Sequence, residues 1–382
     1  MPVGSLATYV AANMPANPGT DNFTPMPQID DERIVLAPNS PATTIAYSSA
    51  GWTGANRCSP TGGSVPSLPI TVPMPAAYTV AHSNKNECAA FLQANGRTVS
   101  QCQPLARCTA GGTGTSIVAF ADVDLFGDGI TGAHGGSGLS AYGGCIRVGE
   151  LRPGQTGMRH AVKMNVPSPQ VLYNCAVIGD CFRWPAIKAD SGAVGDYGSA
   201  NPSPIFAMRM GALLAIPVST DITALGLQSD PGRQLAWTLQ NYGAYIVDST
   251  GGPAYALSAE NGPAGSVRAQ FLADWGYPLE GRINDHTPWT NDVQKLVVAL
   301  YVVDNNTSTS IGGGGTPRQP LAPEISPVDV VLTVGPTTAG TAAGPVSGNG
   351  TGTGTARDDG KSAGLLSTDG TNAGATTLSR RT

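Results

Sequence analysis

Charge is scarce in this chain. Only 12% of its 382 residues are Asp, Glu, Lys or Arg, about half the usual share. Lys and Arg number 21 against 26 Asp and Glu, for a net charge of −5, and no basic cluster occurs. A nucleic-acid partner needs such clusters to neutralise phosphates, so none is expected. There is no run of about 18 apolar residues, which excludes a helical membrane span. The heptads of a coiled coil are missing. So are the CxxC pairs of a structural zinc site. Only four histidines are present, His82, His134, His160 and His286, too widely spaced to suggest a His-based metal cluster. The N-terminal stretch lacks the basic and continuous apolar segments of a secretory signal.

Glycine and proline are plentiful, at 50 and 31 residues, and 41% of the chain is apolar. A folded core rich in turns is expected, with no long disordered majority. Short apolar runs predict strands at Arg33–Leu36 and Ser116–Ala121. Leu68–Val72 is a short apolar piece among turn signals, and Ile205–Ile216 is a further apolar run, broken by Gly211 and closed by Pro217. Met158, His160, Val162, Met164 and Val166 alternate with polar or small residues, the period of a half-buried strand. Three helical signals follow. Asp230-Pro231 opens the first and Gly243 closes it; residues 264–275 form the second, with Phe271, Leu272 and Trp275 inward; Thr290-Asn-Asp292 caps the third, whose β-branched end reads equally as a strand. Ala244–Asp248 reads as a strand.

The expected organisation is an extended arm over 1–45, a β-sandwich domain over 46–310 carrying two or three short helices, and a Gly/Pro linker over 311–327. An isolated strand follows at 328–334, then a Gly/Thr-rich, low-complexity tail over 335–382. In that strand Val328, Val330, Leu332 and Val334 share one face.

Cys102 and Cys108 are six residues apart, as are Cys175 and Cys181, and this spacing predicts two short-loop disulfides in an extracellular protein. Cys145 is the expected leftover thiol of the seven; buried free thiols are the alternative for several of them. Sequons at Asn22, Asn305, Asn306 and Asn349 would make a glycoprotein in a glycosylating host.

Several central segments taken together carry a resemblance: Asp122-Val-Asp-Leu-Phe-Gly-Asp-Gly129, His134-Gly-Gly-Ser-Gly-Leu-Ser140, Ile146-Arg-Val-Gly-Glu-Leu151, Arg159-His-Ala-Val-Lys163, Arg183-Trp-Pro-Ala186 and the stretch Leu235–Val247. Over residues 20–310 the chain resembles a largely uncharacterised group of secreted or surface bacterial proteins. That resemblance implies a jelly-roll or concanavalin-like β-sandwich and an extracellular or cell-surface location. It brings no catalytic motif, and fold alone assigns no activity.

Asp122, Asp124 and Asp128 place hard oxygens before a glycine turn, as a calcium loop does. Ordinary hairpin chemistry between Phe120 and Ile130 accounts for the same residues. The run His134–Ser140 lacks the glycine that a nucleophile elbow needs two residues after its serine, since Leu139 stands there. A tight glycine loop is expected instead. Gly360-Lys361-Ser362 lacks the earlier glycine of a phosphate loop. His160 reads as a hydrogen-bonded core histidine. Glu150, Arg152 and Lys163, with Tyr142 or Trp184, would suit either a sugar-binding groove or solvated strand edges.

Two functions are compatible with these features. The first is an extracellular structural protein that self-assembles into a filament, its strand 328–334 adding to a sheet of the next copy. The second is a β-sandwich that binds or cleaves polysaccharide; a virion structural protein is a further alternative. No cofactor is expected apart from the calcium considered above, and the partners are copies of the chain itself or glycans.

Overall fold

A computed structural model describes residues 2–17, 28–52, 54–201, 203–281 and 285–321, and three short strands at 355–358, 362–367 and 377–379. Residues 1–335 form one compact unit and 336–382 another. The first unit is mainly β. Its strands are β1 (Tyr9–Ala11), β2 (Gln28–Val35), β3 (Ala42–Tyr47), β4 (Ile70–Pro73), β5 (Ala89–Leu92), β6 (Thr98–Gln103), β7 (Gly114–Ser116), β8 (Val118–Asp124), β9 (Val162–Val166), β10 (Leu213–Ala215), β11 (Ala244–Ser249), β12 (Ala256–Gly262), β13 (Gly265–Ser266) and β14 (Tyr301–Val303). Five helices accompany them: α1 (Ser168–Val171), α2 (Ala193–Asp196), α3 (Asp230–Asn241), α4 (Val267–Trp275) and α5 (Pro288–Val298).

The large sheet runs β1-β14-β10-β11-β9-β12-β2-β5-β6-β8, with β13 paired to β12, and a second sheet runs β4-β3-β7. Both are mixed. The pairs β9·β11, β2·β12, β2·β5 and β3·β7 are parallel. A jelly roll is built from antiparallel strands, so these pairings depart from that topology.

The expected arm over 1–45 is part of this fold. β1 forms one edge of the large sheet, and β2 lies inside it between β12 and β5. The expected linker is also partly folded. Gly4 bridges to Pro317, Arg318 donates to the Gln240 carbonyl and the Tyr9 hydroxyl, and the Tyr242 hydroxyl donates to the Pro320 carbonyl. The strand 328–334, with Val328, Val330, Leu332 and Val334, lies outside the described residues. In the second unit Thr355–Asp358, Ser362–Ser367 and Thr377–Ser379 pair as a small antiparallel sheet.

Apolar packing is divided by the large sheet. At one end the small sheet covers one face of β2, β5, β6 and β8, so that Val35, Ile45, Val72, Phe91 and Cys102 share a core. On the other face Ile34, Ala90 and Val99 pack against the loop carrying Ala133, Ala141 and Cys145. At the far end β9–β12 and β14 are packed with α3, α4 and α5 around Met164, Ile246, Leu239, Phe271 and Trp289.

The helix ends follow side-chain capping. The Ser229 hydroxyl accepts from Gly232 N at the start of α3, and Gly243 stands past its end at φ +79°. α5 begins three residues before the expected cap, because Thr287 accepts from Thr290 N. Asp292 instead faces backward: its carboxylate takes hydrogen bonds from Gln228 N, Ser229 N and the Ser229 hydroxyl, fastening α5 to the start of α3. On α4, Phe271 is buried as expected and Leu272 is exposed.

The disulfides differ from expectation in one of two cases. Cys175 pairs with Cys181, because the 3₁₀ turn Ile178–Asp180 folds the chain back and brings the Cα atoms to 5.2 Å. Cys108 pairs with Cys58, at a Cα separation of 5.5 Å, and Cys102 is a buried free thiol. Strand pairing explains the correction. Cys102 lies inside β6, buried in the core under the small sheet, whereas beyond it Ala106 and Arg107, just before Cys108, bridge to Thr115 and Val80. Cys88 and Cys145 are also buried and free.

Candidate functional site

β9 and β11 are parallel neighbours, and β12 runs antiparallel to β9 and parallel to β2. The C-terminal ends of β9 and β11 therefore meet the N-terminal ends of β2 and β12. A cleft of about 960 Å³ opens at this end of the sheet. Its floor holds Asp30 from β2, Asn165 from β9 and Asp248 from β11. Its walls include Asn86, Gln103, Gly136, Asp190 and Lys188, and Trp52 and Phe120 supply aromatic surface.

Beneath the floor lies a buried ionic cluster. Lys163 Nζ lies 2.8 Å from the Ala141 carbonyl, 2.9 Å from that of Ser140 and 3.1 Å from Glu32 Oε1. Those three acceptors use all three ammonium protons. His134 Nε2 is 2.7 Å from the same Glu32 oxygen and 3.1 Å from Lys163 Nζ. His134 Nδ1 faces Asp248 Oδ2 at 3.6 Å and Cys88 Sγ at 3.7 Å. Burial alone would lower the His134 pKa, but the Glu32 charge, opposed in part by Lys163, and the hydrogen bonds to Asp248 and Glu32 raise it to about 9. Burial pushes Glu32 upward, and Lys163 and His134 outweigh it, holding this carboxyl below its usual range.

Glu32, Cys88 and His134 are the one trio of potential metal ligands close enough together among the described residues. The donor set does not suit a metal ion. The Lys163 ammonium already supplies the positive charge on Glu32, His134 is protonated, and burial followed by the Glu32 charge drives the Cys88 thiol well above its ordinary pKa.

The carboxylates of the cleft are held from several sides. Asp30 Oδ2 accepts from Asn86 Nδ2 at 2.8 Å and Asn165 Nδ2 at 2.9 Å. Asn86 also reaches Asp248 Oδ2 at 3.1 Å, while Ser249 N donates to Asp248 Oδ1 at 2.9 Å. Burial, then the charge of Glu32, raises Asp30 to about 6. Asp190 is also raised to about 6, by burial and then by the charge of Asp248. The Tyr197 hydroxyl donates to Asp190 Oδ2 at 2.6 Å. Gln103 and Asn165 are almost fully buried, yet Gln103 Nε2 and Asn165 Oδ1 have no hydrogen-bond partner.

The loop His134–Ser140 is the tight glycine loop expected of it, closed by Gly132 N to the Gly138 carbonyl and Ser140 N to that of Ile130. Gly135 N donates to Gln103 Oε1 at 2.7 Å. Gly136 has to be glycine, because a Cβ there would stand 2.3 Å from Asp248 Oδ1 and 3.1 Å from both Asp190 oxygens.

Asp122, Asp124 and Asp128 are not brought together as a calcium site. Asp122 accepts from the Ser100 hydroxyl, Asp124 pairs with Arg97 and takes Phe126 N, and Asp128 takes Ile130 N. Each is satisfied by strand or turn chemistry, and no hairpin joins Phe120 to Ile130, since β8 pairs with β6 instead. The groove residues also separate: Arg152 pairs with Asp274, Glu150 with His160, and Lys163 is buried in the ionic cluster. His160 precedes β9 and bonds Glu150 and the Ala161 carbonyl. Asn305 and Asn306 are engaged in the fold, and Asn306 is buried, so these two sequons are poor glycan acceptors in the folded state.

No family model matches the chain, and no curated protein or solved structure is significantly similar to it. Geometry must therefore carry the reading of the site. The sequence left Asp30, Asp190, Asp248 and Trp52 unmarked. A signal was present for two of them: Asp248 ends an evident strand, and Asp30 and Glu32 alternate into the strand Arg33–Leu36.

Proposed function

We propose that the cleft binds a segment of a polysaccharide. The observation that carries this reading is its lining: three carboxylates and four side-chain amides on the floor and walls, with the half-exposed Trp52 and Phe120 beside them. Sugar rings present hydroxyls around an apolar face. Carboxylates and amides suit the hydroxyls, and an aromatic ring suits the face. The small sheet over one end of the large one supports a partial sandwich, and the two disulfides are in keeping with an extracellular setting. The resemblance to secreted or surface bacterial proteins points the same way.

Self-assembly by strand exchange is the other reading of the sequence, but it depends on residues 328–334, outside those described. The glycan reading is tested by affinity electrophoresis of the whole chain through xylan, mannan, cellulose derivatives, starch, pectin and alginate. Retardation by at least one is expected. Trp52→Ala should weaken that binding by about 10- to 100-fold, the usual loss for a buried aromatic anchor. No retardation by any of them, or an unchanged affinity for Trp52→Ala, refutes the reading.

A further inference from the structure

We propose that Asp190 and Asp248 cleave a glycosidic bond in this cleft with net retention of configuration, Asp190 as proton donor and Asp248 as nucleophile. The inference rests on the glycan reading above and goes beyond it, from binding to chemistry.

Geometry comes first. Both carboxylates converge on Gly136, with Asp248 Oδ1 2.3 Å and the Asp190 oxygens 3.1 Å from the point where a Cβ would stand. Groups that close to one point lie no more than about 5.5 Å apart, which is too close for the about 6.5–9.5 Å an inverting pair keeps for its water and leaves the retaining mechanism. The two environments are also unequal. Asp248 accepts from Asn86 and Ser249 N and faces the ring of His134. Asp190 is buried beside the Asp248 charge, and its pKa rises to about 6, suited to holding a proton. Tyr197 occupies Asp190 Oδ2, leaving Oδ1 as the oxygen that exchanges the proton.

An acidic pair alone does not make a site. The independent sign of a ligand is the pair of unsatisfied groups on cleft-lining residues, the Gln103 Nε2 donor and the Asn165 Oδ1 acceptor. Buried polar atoms without partners are uncommon, and a hydroxyl-rich ligand supplies both kinds of partner.

The steps balance. Asp190 gives its proton to the glycosidic oxygen, which leaves with the electron pair of the breaking bond to the anomeric carbon. An Asp248 carboxylate oxygen bonds to that carbon, forming a glycosyl ester. Water then attacks the same carbon and passes its proton to Asp190. The ester bond breaks, restoring the Asp248 carboxylate and releasing the sugar with its original anomeric configuration.

The test uses the whole chain and the same panel of polysaccharides. Reducing ends should be released from one that binds, and NMR of the first product should show the retained anomer. Asp190→Asn and Asp248→Asn should each slow release by at least about 10³-fold while keeping the native circular dichroism spectrum, which shows that they fold. Tyr197→Phe, a positioning change, should lower kcat and leave KM unchanged. Binding without release by the native chain overturns the chemistry and leaves the glycan reading intact. Absence of binding overturns both. An inverted first product, or either Asp variant retaining a tenth of the rate, overturns the assignment of roles.

Discussion

At the scale of single residues, the most consequential group is the one hidden from solvent. Lys163 and His134 sit in the interior sharing the Glu32 carboxylate, with Asp248 on the other side of the His134 ring. Taking away the shared carboxylate strands both cations, which costs about 3–5 kcal/mol. Glu32→Gln should therefore destabilise the fold by about that amount in urea unfolding, and adding Lys163→Met should recover a large part of it. The same cluster sets a pH dependence. His134 holds its proton to about 9 when folded, against an ordinary value of 6.5. Between those values the folded state binds more protons than the unfolded one, so this contribution is complete below about 6.5 and fades as pH rises to about 9. Its size is on the order of 3 kcal/mol, and His134→Gln should flatten the slope of unfolding midpoint against pH across that window. A native chain whose midpoint rises from pH 6.5 to 9 contradicts this account.

At the scale of elements, periodicity was informative and surroundings were not. Alternation over 158–166 located β9, which covers only Val162–Val166, and the Pro and Gly signals located α3, because both patterns arise from backbone geometry. Alternation also implied that the polar face of β9 meets water. Instead Lys163 and Asn165 meet the ionic cluster and the cleft floor, contacts made by strands and loops distant in sequence. The Cys102–Cys108 pairing failed for a related reason, since spacing along the chain says nothing about which strands that stretch pairs with. The run Gly312–Gly315 reads as a flexible linker, but all four residues have positive φ and lie against the N-terminal segment. A Cβ on Gly313 would stand 2.5 Å from Ala7 Cα, whereas one on Gly149, at similar positive φ, meets nothing within 4 Å. Gly149→Ala should thus cost only the left-handed backbone penalty of about 1–2 kcal/mol. Gly313→Ala should cost clearly more, and equal melting temperatures for the two variants would show that the glycine run is not packed as described.

At the scale of the whole molecule, the cleft exists because β2 and β12, more than 200 residues apart in sequence, pair in parallel and set Asp30 beside Asn165 and Asp248. No local pattern encodes such a pairing, which is why the mainly β character was legible and the site was not. Everything that lines the cleft belongs to the first compact unit. Deleting residues 322–382 should therefore leave polysaccharide retardation and melting temperature unchanged. The same deletion separates the two proposed functions. Strand exchange needs an open sheet edge, and the edges of the large sheet are the three-residue β1 and β8, which carries Asp122 and Asp124. Short and charged edges discourage added strands, so any assembly must rest on a strong donor strand, and 328–334 is the candidate. If the native chain forms filaments in negative-stain micrographs, the deletion should abolish them while retardation by glycan persists. Filaments that survive it remove strand 328–334 from the assembly, and loss of glycan binding on deletion removes the cleft as an independent site.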